Sequence, residues 1–298
     1  MLRAVDALLR QTHPPDSYEI VVSCDHCTDG TEESLRSAFG DGVRVVNSEV
    51  PGQAGALNTG LEYARGELAI LLDDEMESEE GLVSAHVQAH RTEPAARIAV
   101  TGYSPVVLDS SATPYTRMME RNYASYFAEL AEVGRKSSPN DLCGSNFSLP
   151  VSAFRKVGGF NENYMRNDFE LAVRLLSLGY EVRFCHAARA KQHLAITIDG
   201  IVGRTAERAH EDCQLALEYP WCRPHLPFYR VLINPSVRRR WRVLWETAGV
   251  AAGVFRIARR IFPDNLRLGN MEYAARYCVG LRKEIGSWRA FRRLTDVS

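Results

Sequence analysis

Asp73, Asp74 and Glu75 follow one another at the end of the apolar run "ELAILL". Three adjacent carboxylates repel one another unless a cation or solvent relieves them. A solvated acidic loop feeding a helix N-terminus accounts well for Glu77, Glu79 and Glu80. It accounts poorly for Asp73, which directly follows buried residues. A hard, oxygen-rich site at that place suits Mg²⁺ or Mn²⁺. Asn167 and Asp168 open the segment "NDFELAVRLLSLG". Asp168 there is either a helix N-cap or a general base held rigidly at a helix start. Gly144, Ser145 and Asn146 form a small polar turn. Residues 146–148 also match a glycosylation sequon, which has no meaning without secretion. His193 follows a strand in "KQHL". His86 and His90 are four apart on a helix, but no third metal ligand is near in sequence, so both are expected to be ordinary helix residues.

Cys24 and Cys27 stand in "VVSCDHCTDGT". A structural zinc site usually has a second such pair, and none is present. A redox CxxC would open a helix after a strand without an acid crowding the thiols. The segment reads better as the exit of a strand into a loop, with Asp25 as the working residue and the cysteines as packing or loop residues.

The elements around these residues alternate. "YEIVVS", "VRVVNS", "ELAILL" and "RIAVTGY" are short apolar runs with the character of buried strands. "TDGTEESLRSAF", capped by Thr28 or Asp29, "QAGALNTGLEYARG", ended by Gly66, and "GLVSAHVQAHRTE" are helices between them. Alternation of this kind predicts an α/β fold, a Rossmann-like, mostly parallel sheet with helices on both faces. Ligands of such sheets bind beyond the carboxyl ends of the strands. Asp25, the Asp73–Asp74–Glu75 run and Gly102–Tyr103 all sit there. The second half is less regular, with a strand at "YEVRFC" and largely helical sequence beyond His193.

The chain has 298 residues, enough for one large domain or two modest ones. A net charge of -1 gives no global pull toward nucleic acid. Acids cluster before residue 82, whereas the stretch 238–293 is rich in Arg. Seven scattered cysteines do not form a disulfide framework and predict a reducing compartment. No signal segment or long apolar run is seen, and the expected location is cytoplasmic. "WRVLWETAGVAAGVFRIARRIF" mixes aromatic, apolar and Arg residues as interfacial helices do. It is either packed on the catalytic domain or in peripheral contact with the inner face of a membrane.

Four segments in order, "YEIVVSCDHCTDGT", "AGALNTGLEYARGELAILLDDE", "GSNFSLPVSAFRKVGGFNE" and "NDFELAVRLLSLGYEV", resemble family 2 glycosyltransferases of the GT-A fold. The resemblance covers roughly residues 1–220 as a glycosyltransferase domain, with 221–298 as a helical C-terminal extension. It implies inverting, metal-dependent transfer of a sugar from a UDP- or GDP-sugar to a carbohydrate, lipid or small-molecule acceptor. By the same resemblance Asp25 contacts the nucleotide base and Asn58 lines the donor site. Asp73, Asp74 and Glu75 form the metal and diphosphate motif. Gly144, Ser145 and Asn146 lie near the donor sugar and acceptor. Asp168 is the catalytic base, and His193 stands near the metal.

Three departures stand out. Glu75 replaces the usual third Asp, and Asn167 replaces the usual Glu beside the base. The family's opening strand is also absent, which predicts a start upstream of Met1, a fragment or a decayed copy. Two other functions fit less well: a degenerate nucleotide-sugar binder, and a nucleotidyltransferase, for which no Gly-rich phosphate loop is found.

Overall fold

A computed structural model describes residues 1–92, 97–110, 112–194, 197–229, 235–262 and 265–293. They form two compact units, residues 1–108 with 119–194, and residues 109–118 with 195–298.

The first unit holds both sheets. Strands β1 (Val21–Cys24) and β2 (Arg44–Asn47) pair in parallel, Val22 opposite Val45. Their inward side chains pack with Val5 of helix α1 (Leu2–Leu9) and Leu35 of α2 (Thr31–Phe39). The α2 cap combines both expectations only in part: Gly30 is the N-cap, and the Asp29 carboxylate accepts from Thr31 N at 3.1 Å. Helix α3 (Gln53–Tyr63) follows, ending three residues before Gly66.

The second sheet runs β3 (Leu68–Leu72), β6 (Asn146–Pro150), β5 (Ile98–Tyr103), β7 (Glu181–Gln192), β4 (Met76–Ser78). Only β5 and β7 are parallel in it; β3–β6, β5–β6 and β4–β7 are antiparallel. The sheet is therefore mixed where a mostly parallel one was expected. The strand–helix alternation stops after β5, and β6 then inserts between β3 and β5 in the opposite direction. Strands β1 and β3 are not paired, so the two sheets are separate among the described residues.

Helices α4 (Leu82–Arg91), α5 (Pro114–Leu130), α6 (Val151–Val157) and α7 (Asn167–Ser177) complete this part of the chain. In α7, Leu171, Ala172 and Leu175 are fully buried against Phe147 and Leu149 of β6. Burying each leucine stabilises the fold by about 2 kcal/mol. Asp168 and Glu170 lie in its first turn, where the helix dipole favours acids. Gly179, at φ 76°, ends the helix in a left-handed turn that returns Tyr180 N to Leu175 O at 3.0 Å.

The second unit is helical: α8 (Ile198–Gly203), α9 (Thr205–Glu218), α10 (Pro235–Ile261), α11 (Leu266–Ile285) and α12 (Trp288–Arg293). Its interior carries an ion network in which Arg259 binds Glu272 at 2.8 Å and Asp199 at 2.5 Å. Among the described residues no helix is long and apolar enough to cross a membrane.

Candidate active site

The start of α3 joins the acidic residues. The chain turns sharply after β1 at His26, whose φ of 51° is left-handed. Asp25 thereby meets Gly52, whose N–H donates to both carboxylate oxygens at 3.0 and 3.1 Å. The next residue, Gln53, donates from Nε2 to Asp73 Oδ1 at 3.2 Å. Its Oε1 accepts from Asn167 Nδ2 at 3.4 Å. Two consecutive residues thus tie together the loop after β1, the end of β3 and the start of α7.

Antiparallel pairing of β3 with β6 sets Leu72 opposite Asn146. Asp73 N then donates to Ser145 O at 3.3 Å, which lays the acidic run beside the Gly144 turn. Gly144 N in turn donates to Asp168 Oδ2 at 3.1 Å, and Phe169 N donates to Asp168 Oδ1 at 2.7 Å. Asp168 is not the helix N-cap, as one reading of the sequence had it. Arg166 occupies that position without a side-chain cap bond. A Cβ on Gly144 would stand 3.1 Å from Asp168 Oδ2, so only glycine permits this approach without displacing the carboxylate.

The turn itself is anchored from below. Asp141 is 2% exposed and takes a bidentate ion pair from Arg135 at 2.7 and 3.0 Å. Its backbone carbonyl accepts from Thr101 Oγ1 at 2.7 Å and from the Tyr126 hydroxyl at 3.1 Å.

Burial pushes the Asp73 carboxyl up to about 6, helped by the charges of Glu75, Asp168 and Asp74; the Gln53 bond opposes the shift. These carboxylates are therefore close enough to feel one another. The Tyr123 hydroxyl also faces the group. Its pKa is raised by burial and then by Cys143, Asp168 and Asp73, so it is neutral and able to donate. Burial likewise raises the Cys143 thiol to about 11.

Pairing of β4 with β7 places Glu75 beside Gln192 and His193. Gln192 Nε2 donates to Glu75 Oε1 at 2.8 Å, and His193 N donates to Glu75 O at 3.1 Å. The Glu75 carboxylate can only accept, so the Gln192 amide nitrogen must face it. Gln192 is itself 2% exposed, and its side chain lies within hydrogen-bonding reach of the Tyr123 hydroxyl. The His193 ring contacts Glu77 at 2.8 Å rather than Asp73. This bond lowers the Glu77 pKa. Glu77 is thus not part of a solvated acidic loop: Met76 and Ser78 are buried on either side of it in β4.

Two expected ligand residues are turned to other tasks. Asn146 is fully buried; its Nδ2 donates to Ala188 O at 3.0 Å, and its Oδ1 faces His86 Nε2 at 2.9 Å. The amide orientation fixes the rest of a chain. His86 Nε2 must donate, so its Nδ1 accepts from Ser148 Oγ at 2.8 Å, and Ser148 Oγ accepts from His90 Nε2 at 2.9 Å. Burial holds His86 neutral, its pKa down at about 4. Asn58 exchanges bonds with the Phe160 backbone at 2.8 and 3.0 Å and donates to Glu162 at 3.0 Å, fastening α3 to the loop after α6. Asp74 is exposed, and Ser145 is 5% exposed with its hydroxyl 3.2 Å from Cys143 Sγ. Cys24 is buried and Cys27 exposed, both as free thiols.

Among the described residues, no three His, Cys, Asp or Glu side chains stand together as a ready metal site. A cavity of 530 Å³ is lined by Leu130, Arg135, Asp141, Phe184 and His186 among others; Asp25, Asp73 and Asp168 are not part of it.

The model of Glycosyl transferase family 2 matches residues 1–158, more than half of the chain. The chain belongs to glycosyl transferase family 2. A second model, described as the N-terminal domain of galactosyltransferase, matches residues 124–195. Two curated relatives of this family 2 chain are a probable glycosyltransferase, YdaM, of Bacillus subtilis, and validoxylamine A glucosyltransferase of Streptomyces hygroscopicus subsp. limoneus. They are 26% identical over 194 residues and 28% identical over 204 residues, covering 62% and 59% of this chain. The matches cover 46% and 45% of the relatives, under half of their length. Among solved structures, mannosyltransferase PcManGT of Pyrobaculum calidifontis, in complex with GDP-Man and Mn²⁺, aligns with TM-score 0.60 at 18% identity. It covers 95% of this chain and 82% of that one. Residues 1–349 of S. aureus TarS align with TM-score 0.51 at 13% identity, over 96% and 88%. These likenesses establish the GT-A-like fold.

Proposed function

We propose that this chain transfers a sugar from a nucleoside diphosphate sugar to an acceptor hydroxyl, with inversion at the anomeric carbon and with Asp168 as general base. The carrying observation is that Gly52 and Gln53 bond Asp25, Asp73 and Asn167, which brings Asp168 near Asp73, and that Asp168 is held by two backbone N–H groups. A base must be held rigidly against the proton that it takes, and this one is fixed through both oxygens.

The residues fit a hard divalent cation, Mg²⁺ or Mn²⁺. Asp73 is a half-buried oxygen donor whose pKa is raised by desolvation and then by the charges of Glu75, Asp168 and Asp74. Asp73 and Glu75 would hold the ion, and donor phosphate oxygens would complete its ligands, a common mode for Mg²⁺. His193 would join only by releasing Glu77. When bound, the ion supplies charge neutralisation on the leaving diphosphate.

The chain's own groups do the rest. Asp25 and the Gly52 turn receive the nucleotide base. Tyr123, beside Gln192, is placed to donate to a hydroxyl of the bound substrates. The acceptor hydroxyl gives its proton to Asp168, and its oxygen bonds the anomeric carbon from the face opposite the phosphate. The bond from that carbon to the phosphate oxygen breaks, and the electron pair leaves with the diphosphate.

Asp168→Asn tests the reading, because the amide keeps the size of the side chain and one of its two backbone bonds but cannot take the proton. With UDP- and GDP-sugars and Mn²⁺ as probes, turnover should fall by about 10²–10⁴-fold. The thermal shift given by the nucleotide should stay within 1–2 °C of wild type, roughly the effect of a fraction of a kcal/mol. Undiminished turnover in the variant would overturn the assignment.

A further inference from the structure

Helix α10 is amphipathic in an unusual sense. Its inner face is anchored: Trp245 and Ala248 are each 1% exposed, Trp245 stacks on Phe291 at 5.0 Å, and Arg259 is held by Glu272. The outer face of a surface helix is ordinarily polar. Here it carries Val243, Val250, Val254, Ile257 and Ile261, exposed by 64%, 75%, 56%, 62% and 66%. At 3.6 residues per turn these side chains fall within an arc of about 60°, opposite Trp245 and Arg259, in a strip about 27 Å long. Phe262, 59% exposed, extends its end.

The exposed charges of this helix are predominantly positive. Arg239, Arg240, Arg242, Arg256 and Arg260 are exposed on the same helix, against one acid, Glu246. That pattern sorts the occupants that an apolar strip could have. A second copy of α10 laid on the first, parallel or antiparallel, would bring arginines to arginines at both ends, and like charges across an interface cost affinity. An anionic lipid surface matches both features, since it takes aliphatic side chains into its acyl boundary and arginines onto its phosphates. The described helices include none able to cross a bilayer, so the contact runs along the surface.

We propose that the outward face of α10 attaches this protein peripherally to an anionic lipid bilayer. The attachment is independent of the catalytic reading and would stand if that reading failed.

Vesicle co-sedimentation of the full chain tests it. The chain should pellet with vesicles of mixed phosphatidylglycerol and phosphatidylcholine and stay in solution with phosphatidylcholine alone. Val254→Glu with Ile257→Glu should weaken binding by at least about a hundredfold, because two aliphatic side chains are lost from the bilayer and two negative charges are added. Both positions are more than half exposed, so circular dichroism and the melting midpoint should match wild type. Arg242→Gln with Arg260→Gln should weaken it by about fivefold per arginine, the equivalent of about 1 kcal/mol each. Failure to pellet with the anionic vesicles would overturn the proposal, as would equal pelleting of wild type and the Glu double variant. A wild-type dimer by sedimentation velocity that the Glu double variant splits into monomers would assign the face to a second copy instead.

Discussion

Asp73→Asn probes the electrostatics on which the site depends. Burial, followed by the charges of Glu75, Asp168 and Asp74, moves the Asp73 carboxyl from 3.8 to about 6 in the folded chain. Below about pH 4 the group is protonated in both states and imposes no penalty. Between pH 4 and 6 the unfolded chain ionises first, so stability falls as pH rises. Above pH 6 the whole penalty is present, about 3 kcal/mol at most. Asp73 is partly open to solvent, which trims the expected effect to about 1–3 kcal/mol. Asparagine keeps the oxygen that accepts from Gln53 and removes the charge.

In chelator at pH 7.5 the variant should therefore be more stable than wild type by about 1–3 kcal/mol, a rise in midpoint of roughly 2–4 °C per kcal/mol. At pH 4.5 the gain should shrink toward zero. His86 sharpens the contrast. Its folded pKa is depressed from 6.5 to about 4, so it withdraws stability as pH falls from 6.5 toward 4. In wild type the two slopes oppose each other over pH 4–6. In Asp73→Asn the His86 slope stands alone, and the variant should lose stability in acid more steeply. Urea unfolding of both proteins from pH 4.5 to 8 measures this directly. A variant less stable than wild type at pH 7.5, or a difference that does not change with pH, would refute the reasoning. With Mn²⁺ and nucleotide, wild type should gain stability and the variant should gain much less.

Two glycines give further predictions. Gly144→Ala would put a methyl 3.1 Å from Asp168 Oδ2 and 3.3 Å from its Cβ. Turnover should drop by about tenfold or more, since a displacement of a few tenths of an ångström matters at a reacting group; melting should show little loss of stability. Gly102→Ala would place Cβ 2.3 Å from Asn146 Nδ2 and 2.4 Å from Ala188 O, both in the core. Overpacking there should destabilise the chain by about 3 kcal/mol or more, read by urea unfolding.

The local elements of this family 2 chain were largely written in its residues. Continuous apolar runs marked β1, β2, β3 and β5, and the Asn167–Asp168 pair marked the start of α7. Asp25, Asp73 and Asp168 could be placed at strand exits and a helix start from that pattern alone. Strand β4 escaped, because three residues carry too little periodicity to stand out inside an acidic run, although Met76 and Ser78 do alternate with Glu77. Asn58 and Asn146 show the converse: a polar type in the right segment drew attention, but its amide is spent on the protein itself.

What the tertiary structure alone decided is which distant groups meet. Gln53 and Gln192 carried no local signal, yet they bond to Asn167 and Glu75 across 114 and 117 residues. The insertion of β6 between β3 and β5, and with it the contact of Gly144 and Asp168, rests on pairing registers between remote strands. Helix propensity, strand character and capping act within a few residues, so the sequence by itself determined those elements and the residue types at their ends. Sheet order, the orientation of buried amides and the shared field of the carboxylates arise only when those elements pack, because hydrogen bonds and charges act over ångströms in space and not over distance along the chain.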